Sequence, residues 1–329
     1  MQVAISLVAV VTGLSFANNA DFNRKADIGF DYQPILQAWL PAASDYPRFN
    51  NAVKEIPGVI ATTGSVHLPG FGHNLVEFKW KGEGQEAILY QIGNDFPDVM
   101  GLRLVQGDWA AKAGDSSASK EIVINQTFAR KISGNDQLIG AEITYNNQTV
   151  RIVGVVSDFM TNTPFQPILP VVLQSVPARN WRRCLIKTAS VEQQAQIMAT
   201  LESKWKQLFP YTPFNVGYQN EMLVEAIQVS DNIATSMAVF AGVAILLSIT
   251  GLFSLVSLNV LRRMREVAVR RVMGASAGQV AWVLNRSYGL IFLFAVILGC
   301  AGGRYLAVAL MDSIFKINIG VQPSALVWS

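Results

Sequence analysis

Residues 232–261 read NIATSMAVFAGVAILLSITGLFSLVSLNVL, and residues 262–286, which follow, read RRMREVAVRRVMGASAGQVAWVLNR. The first stretch is 30 residues without a formal charge. A helix needs about 20 such residues to cross the hydrocarbon core of a bilayer, so this stretch is long enough to span one. The second stretch reverses the composition: Arg262, Arg263, Arg265, Arg270, Arg271 and Arg286 stand against Glu266 alone, a net of +5. Short Arg-rich loops stay on the cytoplasmic side. This junction therefore predicts both a span and its direction, with the chain entering from outside and leaving inside.

Outward from the junction, two further windows carry no formal charge, residues 1–20 and 287–303. The latter is 17 residues bracketed by Tyr288 and Tyr305, and at about 1.5 Å per residue it covers roughly 26 Å, close to the hydrocarbon thickness. Tyrosines favour the two membrane interfaces, and Arg304 can snorkel to the headgroups. Residues 1–17 read as a first span with a truncated start, or as a secretory signal ending at SFANNA, although no basic residue precedes them. Between these greasy windows, residues 18–232 hold 18 Lys+Arg and 21 Asp+Glu. Either reading of the N-terminus exports them.

The whole chain has 329 residues, 51% hydrophobic and 15% charged, with a mean hydropathy of +0.30. Soluble proteins carry about 25% charged residues, so an ordinary cytosolic enzyme is excluded, as is a disordered chain. A net charge of +3 is too small for a nucleic-acid binder. The expected fold class is a membrane protein of α-helical transmembrane spans, with a large mixed α+β extracytoplasmic domain inserted between spans 1 and 2. The expected domains are a first span at 1–17, an extracytoplasmic α+β domain at 18–219, a stalk and second span at 220–261, a cytoplasmic loop at 262–286, a third span at 287–311, and an extracytoplasmic tail at 312–329.

Within the outer domain, strands are expected at 35–40, 59–65, 75–80, 87–92, 121–124, 142–145, 149–156 and 214–219. Asn146-Asn147 is the turn of a hairpin. Helices are expected at 46–56, 96–101 and 193–209, the last with Ile197, Leu201, Trp205 and Leu208 at spacings of three and four. From Glu221 a helical pattern runs into the second span without a proline. Cys184 is outside and Cys300 lies in the third span, so no intrachain disulfide links them, and Cys184 offers a label for orientation.

The loop at 262–286 reads as a short amphipathic helix, a tight turn and a fresh helix start. Glu266 precedes Arg270 by four residues, the favoured order for an ion pair, and Gly274 suits the residue just past a helix end. Ser276 with Gln279 forms a capping-box pattern. By physics alone this is equally a basic helix lying on anionic lipid. Gly299 and Gly303 form a G-x-x-x-G on the third span, which permits close helix packing.

Catalytic and metal signals are thin. His67 and His73 are the only histidines, in the loop HLPGFGH, and with no companion ligand they read as an exposed loop. Asp95 with Asp98 reads as a helix start, Asp27 with Asp31 as a solvated face, and Ser157-Asp158 lacks a histidine to complete a hydrolase triad. No catalytic, cofactor or metal residue is assigned.

The string Arg262-Arg263-Met-Arg-Glu266-Val-Ala-Val-Arg270-Arg271-Val-Met-Gly274-Ala275-Ser276 resembles the signature of FtsX-like, MacB-type ABC transporter permeases, R-R-x-x-E-I-x-I-R-K-x-L-G-A-S. The likeness extends upstream through Pro57-Gly58-Val59, Gly101 to Gly107, Ile124-Asn125-Gln126, Val153 to Phe159, and Phe209-Pro210 with Pro213-Phe214. The resemblance implies a permease subunit of the bacterial cytoplasmic membrane, not an enzyme. In such a subunit Arg262, Arg263, Glu266, Arg270, Arg271, Gly274, Ala275 and Ser276 face an ABC ATPase subunit that binds the ATP. It further implies a second permease copy or half, a periplasmic adaptor or hydrolase as partner, and export of a drug, peptide or lipoprotein. The alternative is a relay that controls an extracytoplasmic hydrolase without transport. Independently, no glycine is followed by lysine, so a Walker A loop is absent from this chain. Family members enter a fourth span beyond the third and have a cytoplasmic lead before the first, so the chain is expected to be a fragment or one half of a longer permease.

Overall fold

In a computed structural model of the protein the described residues are 1–70, 74–111, 120–133, 138–219, 221–274 and 276–320, with backbone alone at 133, 222, 271, 277, 279–288 and 290. The chain separates into two compact units, one of residues 27–226 and one of residues 1–26 with 227–329.

The unit at 27–226 is built on strands β1 (Ile35–Trp39), β2 (Val59–Ser65), β3 (Leu75–Trp80), β4 (Glu83–Ile92), β5 (Leu104–Gly107) and β6 (Glu121–Asn125). It continues with β7 (Glu142–Tyr145), β8 (Gln148–Val156), β9 (Val171–Ser175), β10 (Arg183–Thr188) and β11 (Val216–Tyr218). Along β11-β1-β10-β2 neighbouring strands are antiparallel. This layer joins the rest at Ser65 with Ile92, where the Val66 N–H also donates to the Gln91 carbonyl and the Gly93 N–H to the Gly64 carbonyl. The remaining order β4-β3-β7-β8-β6-β9 returns to β4 through a parallel β4–β9 ladder, so six strands form a closed ring.

Three cores follow. Helices α2 (Tyr46–Lys54) and α5 (Gln194–Leu208) cover one face of the β1-β10-β2 layer, where Leu36, Ala38, Cys184 and Ile186 meet Phe49, Ile197, Leu201 and Trp205. Trp205 packs with Phe49 and Phe209 at ring separations of 5.5 and 4.9 Å, and its Nε1 donates to the Thr212 carbonyl. This polar handle keeps a fully buried indole satisfied. A second core gathers Ile35, Tyr90, Phe159 and Leu185 with α3 (Phe96–Met100). The third gathers Phe78, Leu89, Ile143, Ile152 and Val172 with α4 (Gln126–Ser133) through Phe128 and Ile132.

Two residues pin α4 to these cores. The Asn125 side chain is fully buried; its Oδ1 accepts from the Phe128 and Val171 N–H groups, and its Nδ2 donates to the Leu169 carbonyl. Asp158 accepts from the Thr127 N–H, the Thr127 hydroxyl and Arg130. The I-N-Q and V-S-D-F strings thus meet at one helix start.

Most expected elements are present with ends shifted by a residue or two. β4 begins at Glu83 rather than 87 because Lys81 and Gly82, at φ 49° and 89°, make a two-residue turn that starts the ladder at once. β11 is shorter than the strand expected at 214–219. β5, β9, β10 and α4 were not expected.

In the other unit, α1 (Gln2–Lys25) continues through residues 18–25 as one helix, past the boundary expected at 17. The segment holds no proline or glycine, and Lys25 pairs with Asp21 at 2.7 Å one turn earlier. α6 (Glu221–Arg262) is unbroken over 42 residues, and α8 (Ala277–Ile314) follows the short α7 (Met264–Val272). Among the described residues three helices are long and apolar enough to cross a membrane, within Gln2–Lys25, Leu223–Arg262 and Ile291–Ile314. The α6 span leaves Phe240, Leu246, Leu247 and Phe253 exposed, as a lipid-facing helix requires. α1 instead buries Thr12, Gly13, Ser15, Phe16 and Asn19, and Phe16 meets Phe315 of the segment after α8.

Candidate functional site

The loop between α6 and α8 is built by local rules. α6 ends at Arg262, where the Arg263 N–H shares itself between the Asn259 and Val260 carbonyls at 3.1 Å each, tightening the last turn. α7 then begins at Met264, with Glu266 in its first turn, where a carboxylate suits the helix dipole. Glu266 accepts from Arg270 Nη2 at 2.8 Å and stands 3.9 Å from Arg263. Both members of the Glu266–Arg270 pair are over 40% exposed, so it adds only about 0.3–0.5 kcal/mol and serves to hold the charges in register.

The end of α7 is a capped turn. The Met273 N–H bonds back to the Val269 carbonyl, and Gly274 has φ +91°, a conformation that side-chain-bearing residues avoid. Ser276 precedes the first residue of α8, at the position expected of a helix cap. Ala275 lies outside the described residues, as do the side chains of Arg271 and Gln279.

What α7 presents is unusual for a short helix. Val269 is 60% exposed, Val272 89% and Met273 82%. Arg262, Arg263, Arg265 and Arg270 are exposed beside them. Among the described residues the loop is an apolar ridge edged by cations.

The glycine pair of α8, Gly299 and Gly303, lies against α1. A Cβ on Gly299 would stand 2.7 Å from Leu7 Cβ, and one on Gly303 2.8 Å from Val11 Cβ. Both positions therefore bring two helix backbones close.

The other sequence candidates are occupied by structure. Asp27 accepts from the Gly29 N–H and from Arg103, and these hold its carboxyl below the usual range. Asp31 pairs with Lys187 at 3.1 Å. Asp158 caps α4. His67 is half-buried and its pKa is pushed down by that burial, while His73 lies outside the described residues. Among the described residues no three His, Cys, Asp or Glu come together as a metal site would require. Cys184 is fully buried and burial pushes its thiol up to about 12, so it is unsuited to the labelling its position invited. Sequence reasoning missed the structural roles of Asn125 and Asp158, which only the return of β8 beside β6 brings together.

Residues 3–204 match the family model of the MacB-like periplasmic core domain, and residues 238–329 that of the FtsX-like permease C-terminal region. Among curated relatives, the macrolide export ATP-binding/permease protein MacB of Marinobacter nauticus is 19% identical over 273 residues, covering 78% of this chain and 41% of that protein. The pyoverdine export ATP-binding/permease protein PvdT of Pseudomonas aeruginosa is 19% identical over 293 residues, covering 85% and 44%. The chain thus spans about two-fifths of the length of these relatives. Among solved structures, the periplasmic region of MacB from Actinobacillus actinomycetemcomitans aligns with a TM-score of 0.44 at 16% identity, covering 58% of this chain and 91% of that one. With the first family model covering more than half of the chain, and the second taking in both α7 and α8, the protein belongs to the MacB-like, FtsX-type permease family.

Proposed function

We propose that this chain is the permease part of an ATP-driven exporter, in which α7 docks on an ABC ATPase and transmits its movement to the extracytoplasmic unit at 27–226. The observation that carries this reading is α7 itself. It is a separate helix, set off from α8 by the positive φ of Gly274, and it and the turn after it keep Val269, Val272 and Met273 exposed beside four arginines. Exposed apolar ridges rimmed by charge mark interaction surfaces. The unbroken α6 supports the transmission step, since a 42-residue helix of about 1.5 Å rise per residue is roughly 60 Å of stiff rod.

The three apolar helices among the described residues support three spans in this reading: α1 runs outward, α6 inward and α8 outward, with α7 in the cytoplasm of a bacterial inner membrane. The close approach of α8 to α1 at Gly299 and Gly303 supports a lasting span for α1 rather than a cleaved signal. The names of the relatives, macrolide export and pyoverdine export, support an exported drug-like or peptide-like substrate. A second permease copy or half completes the proposed assembly.

The test is co-purification of the full chain with its ABC ATPase, comparing wild type with Val272→Asp and Glu266→Lys. Both variants are expected to lose the ATPase while the outer unit keeps its circular dichroism. Unchanged association with either would overturn the docking role of α7, and loss of vesicle binding alone would return it to a lipid-surface helix.

A further inference from the structure

The six-strand ring in the outer unit has one loose seam. β3 pairs with β4 from Leu75↔Ile88 to Trp80↔Glu83. The Leu89 N–H donates to the Asn74 carbonyl, and because closely and widely spaced pairs alternate in an antiparallel ladder, residues 74, 76, 78 and 80 bond toward β4. Leu75, Glu77 and Lys79 therefore turn their backbone N–H and C=O groups the other way.

On that other side, among the described residues, β7 meets β3 at the pair Lys79 with Thr144. β7 ends at Tyr145, and the chain reverses through Asn146 and Asn147 at φ 48° and 59° to pair with β8. The places where a strand would face Glu77 and Leu75 are thus vacated by the turn. A cavity of about 380 Å³ lies there, between Val76, Glu77 and Lys79 on β3 and Tyr145, Asn146 and Asn147 on the turn. Leu75 is 49% exposed at its open end. The inner side of the seam is sealed independently: Phe78 stacks on Tyr145 with ring centroids 4.9 Å apart and also meets Phe128 at 6.0 Å. A guest on the outer edge would leave the barrel core in place.

We propose that the Leu75–Glu77 edge is a strand-addition site for an extended peptide segment of a partner polypeptide, running antiparallel to β3 where β7 leaves off. Backbone donors and acceptors spaced two residues apart along a strand are matched by another extended backbone, and a small ligand or a lipid does not reproduce that spacing. Charge and apolarity set the preferred side chains: a basic residue opposite Glu77 and an aliphatic one opposite Leu75, since directly opposed residues share a face. Lys79, already opposite Thr144, marks where the guest ends.

The experiment is hydrogen exchange at single-residue resolution on the full chain in nanodiscs. The probe is the peptide Thr-Lys-Thr-Val-Thr at millimolar concentration, alongside the same peptide N-methylated at its Lys and Val. In the free protein the Leu75 and Glu77 amides exchange at loop rates while Val76 and Phe78 are protected. The unmethylated peptide slows Leu75 and Glu77 by about tenfold or more, a change that reports added strand pairing. Glu77→Pro, which removes only an outward N–H, abolishes that effect and keeps the β4 ladder. Glu77→Lys transfers the preference to a peptide with Glu in place of Lys. Equal effects of the methylated peptide, or no slowing with either peptide, would overturn the proposal. Protection of Leu75 and Glu77 in the free protein that is lost on dilution would assign the edge to a second copy of this chain instead.

Discussion

Replacing Gly299 by alanine tests how closely α1 and α8 pack. The added methyl would sit 2.7 Å from Leu7 Cβ and 3.0 Å from the Ala4 carbonyl oxygen, both backbone-fixed positions that side-chain rotation cannot clear. Overpacking of this kind costs about 1–3 kcal/mol. Against it, alanine is favoured over glycine in a helix interior by about 1 kcal/mol. The two terms leave a net loss of about 0–2 kcal/mol, which is hard to read alone. Gly289 supplies the reference, because a Cβ there meets nothing within 4 Å, so Gly289→Ala keeps only the propensity gain. The readable quantity is the difference between the two variants, about 1–3 kcal/mol, and Gly303→Ala should match Gly299→Ala, with 2.8 Å to Val11 Cβ. Gly302→Ala should fall between, since its nearest neighbour is the movable tip of Val8 at 3.3 Å. The assay is reversible SDS titration of the full chain in mixed micelles, followed by helical circular dichroism. Leu7→Ala should not relieve Gly299→Ala, because the clashing Cβ remains, whereas Leu7→Gly should relieve it in part, the Ala4 carbonyl oxygen staying at 3.0 Å. Equal midpoints for Gly299→Ala and Gly289→Ala would refute the close α1–α8 contact.

Two further outcomes follow from the outer unit. Asn125→Leu strips partners from the buried Phe128 and Val171 N–H groups at once, and with about 1–3 kcal/mol for each orphaned donor it should lower the unfolding temperature by several degrees, more than Asn162→Leu at an exposed site. In a Cys300→Ala background Cys184 should resist maleimide until the protein is denatured, since its thiol is buried and pushed up to about 12, whereas Tyr211→Cys, at a position 99% exposed, should label in intact cells from outside. Labelling at residue 211 only after the cells are broken open would reverse the proposed orientation.

The elements legible in the sequence were those with a local cause. The β7–β8 hairpin is announced by Asn146-Asn147, two residues tolerant of positive φ, between alternating strands. α5 is announced by Ile197, Leu201 and Trp205 at helical spacing, and α6 by the proline-free helical pattern from Glu221 that runs into a charge-free stretch. What was not legible is what only tertiary neighbours decide. β9 and β10 are buried along nearly their whole length, so the period-two alternation that marks a half-exposed strand is missing. α4 has only Phe128, Ala129 and Ile132 as apolar residues; its start is made by Asn125 and Asp158, and the second of these arrives from 31 residues downstream of Thr127.

The same division separates the two surfaces proposed to bind partners. α7 was readable because it is made by short-range rules: an i,i+4 ion pair, a glycine past its end and a serine before the next helix. Such a segment can be carried intact between proteins, and the match of residues 238–329 to the FtsX-like region includes it. The open edge of β3 has no local signature. LVEFKW reads like any edge strand, with Glu77 and Lys79 as the charges that natural sheets place on their borders. It becomes a candidate site only when the register shows that β3 meets β7 at Lys79 and that the Asn146-Asn147 turn ends β7 beside it. The turn was predicted from its residues, but its consequence for a strand some 70 positions earlier was not, because a hairpin fixes its own pairing and leaves its neighbour's to the closure of the sheet.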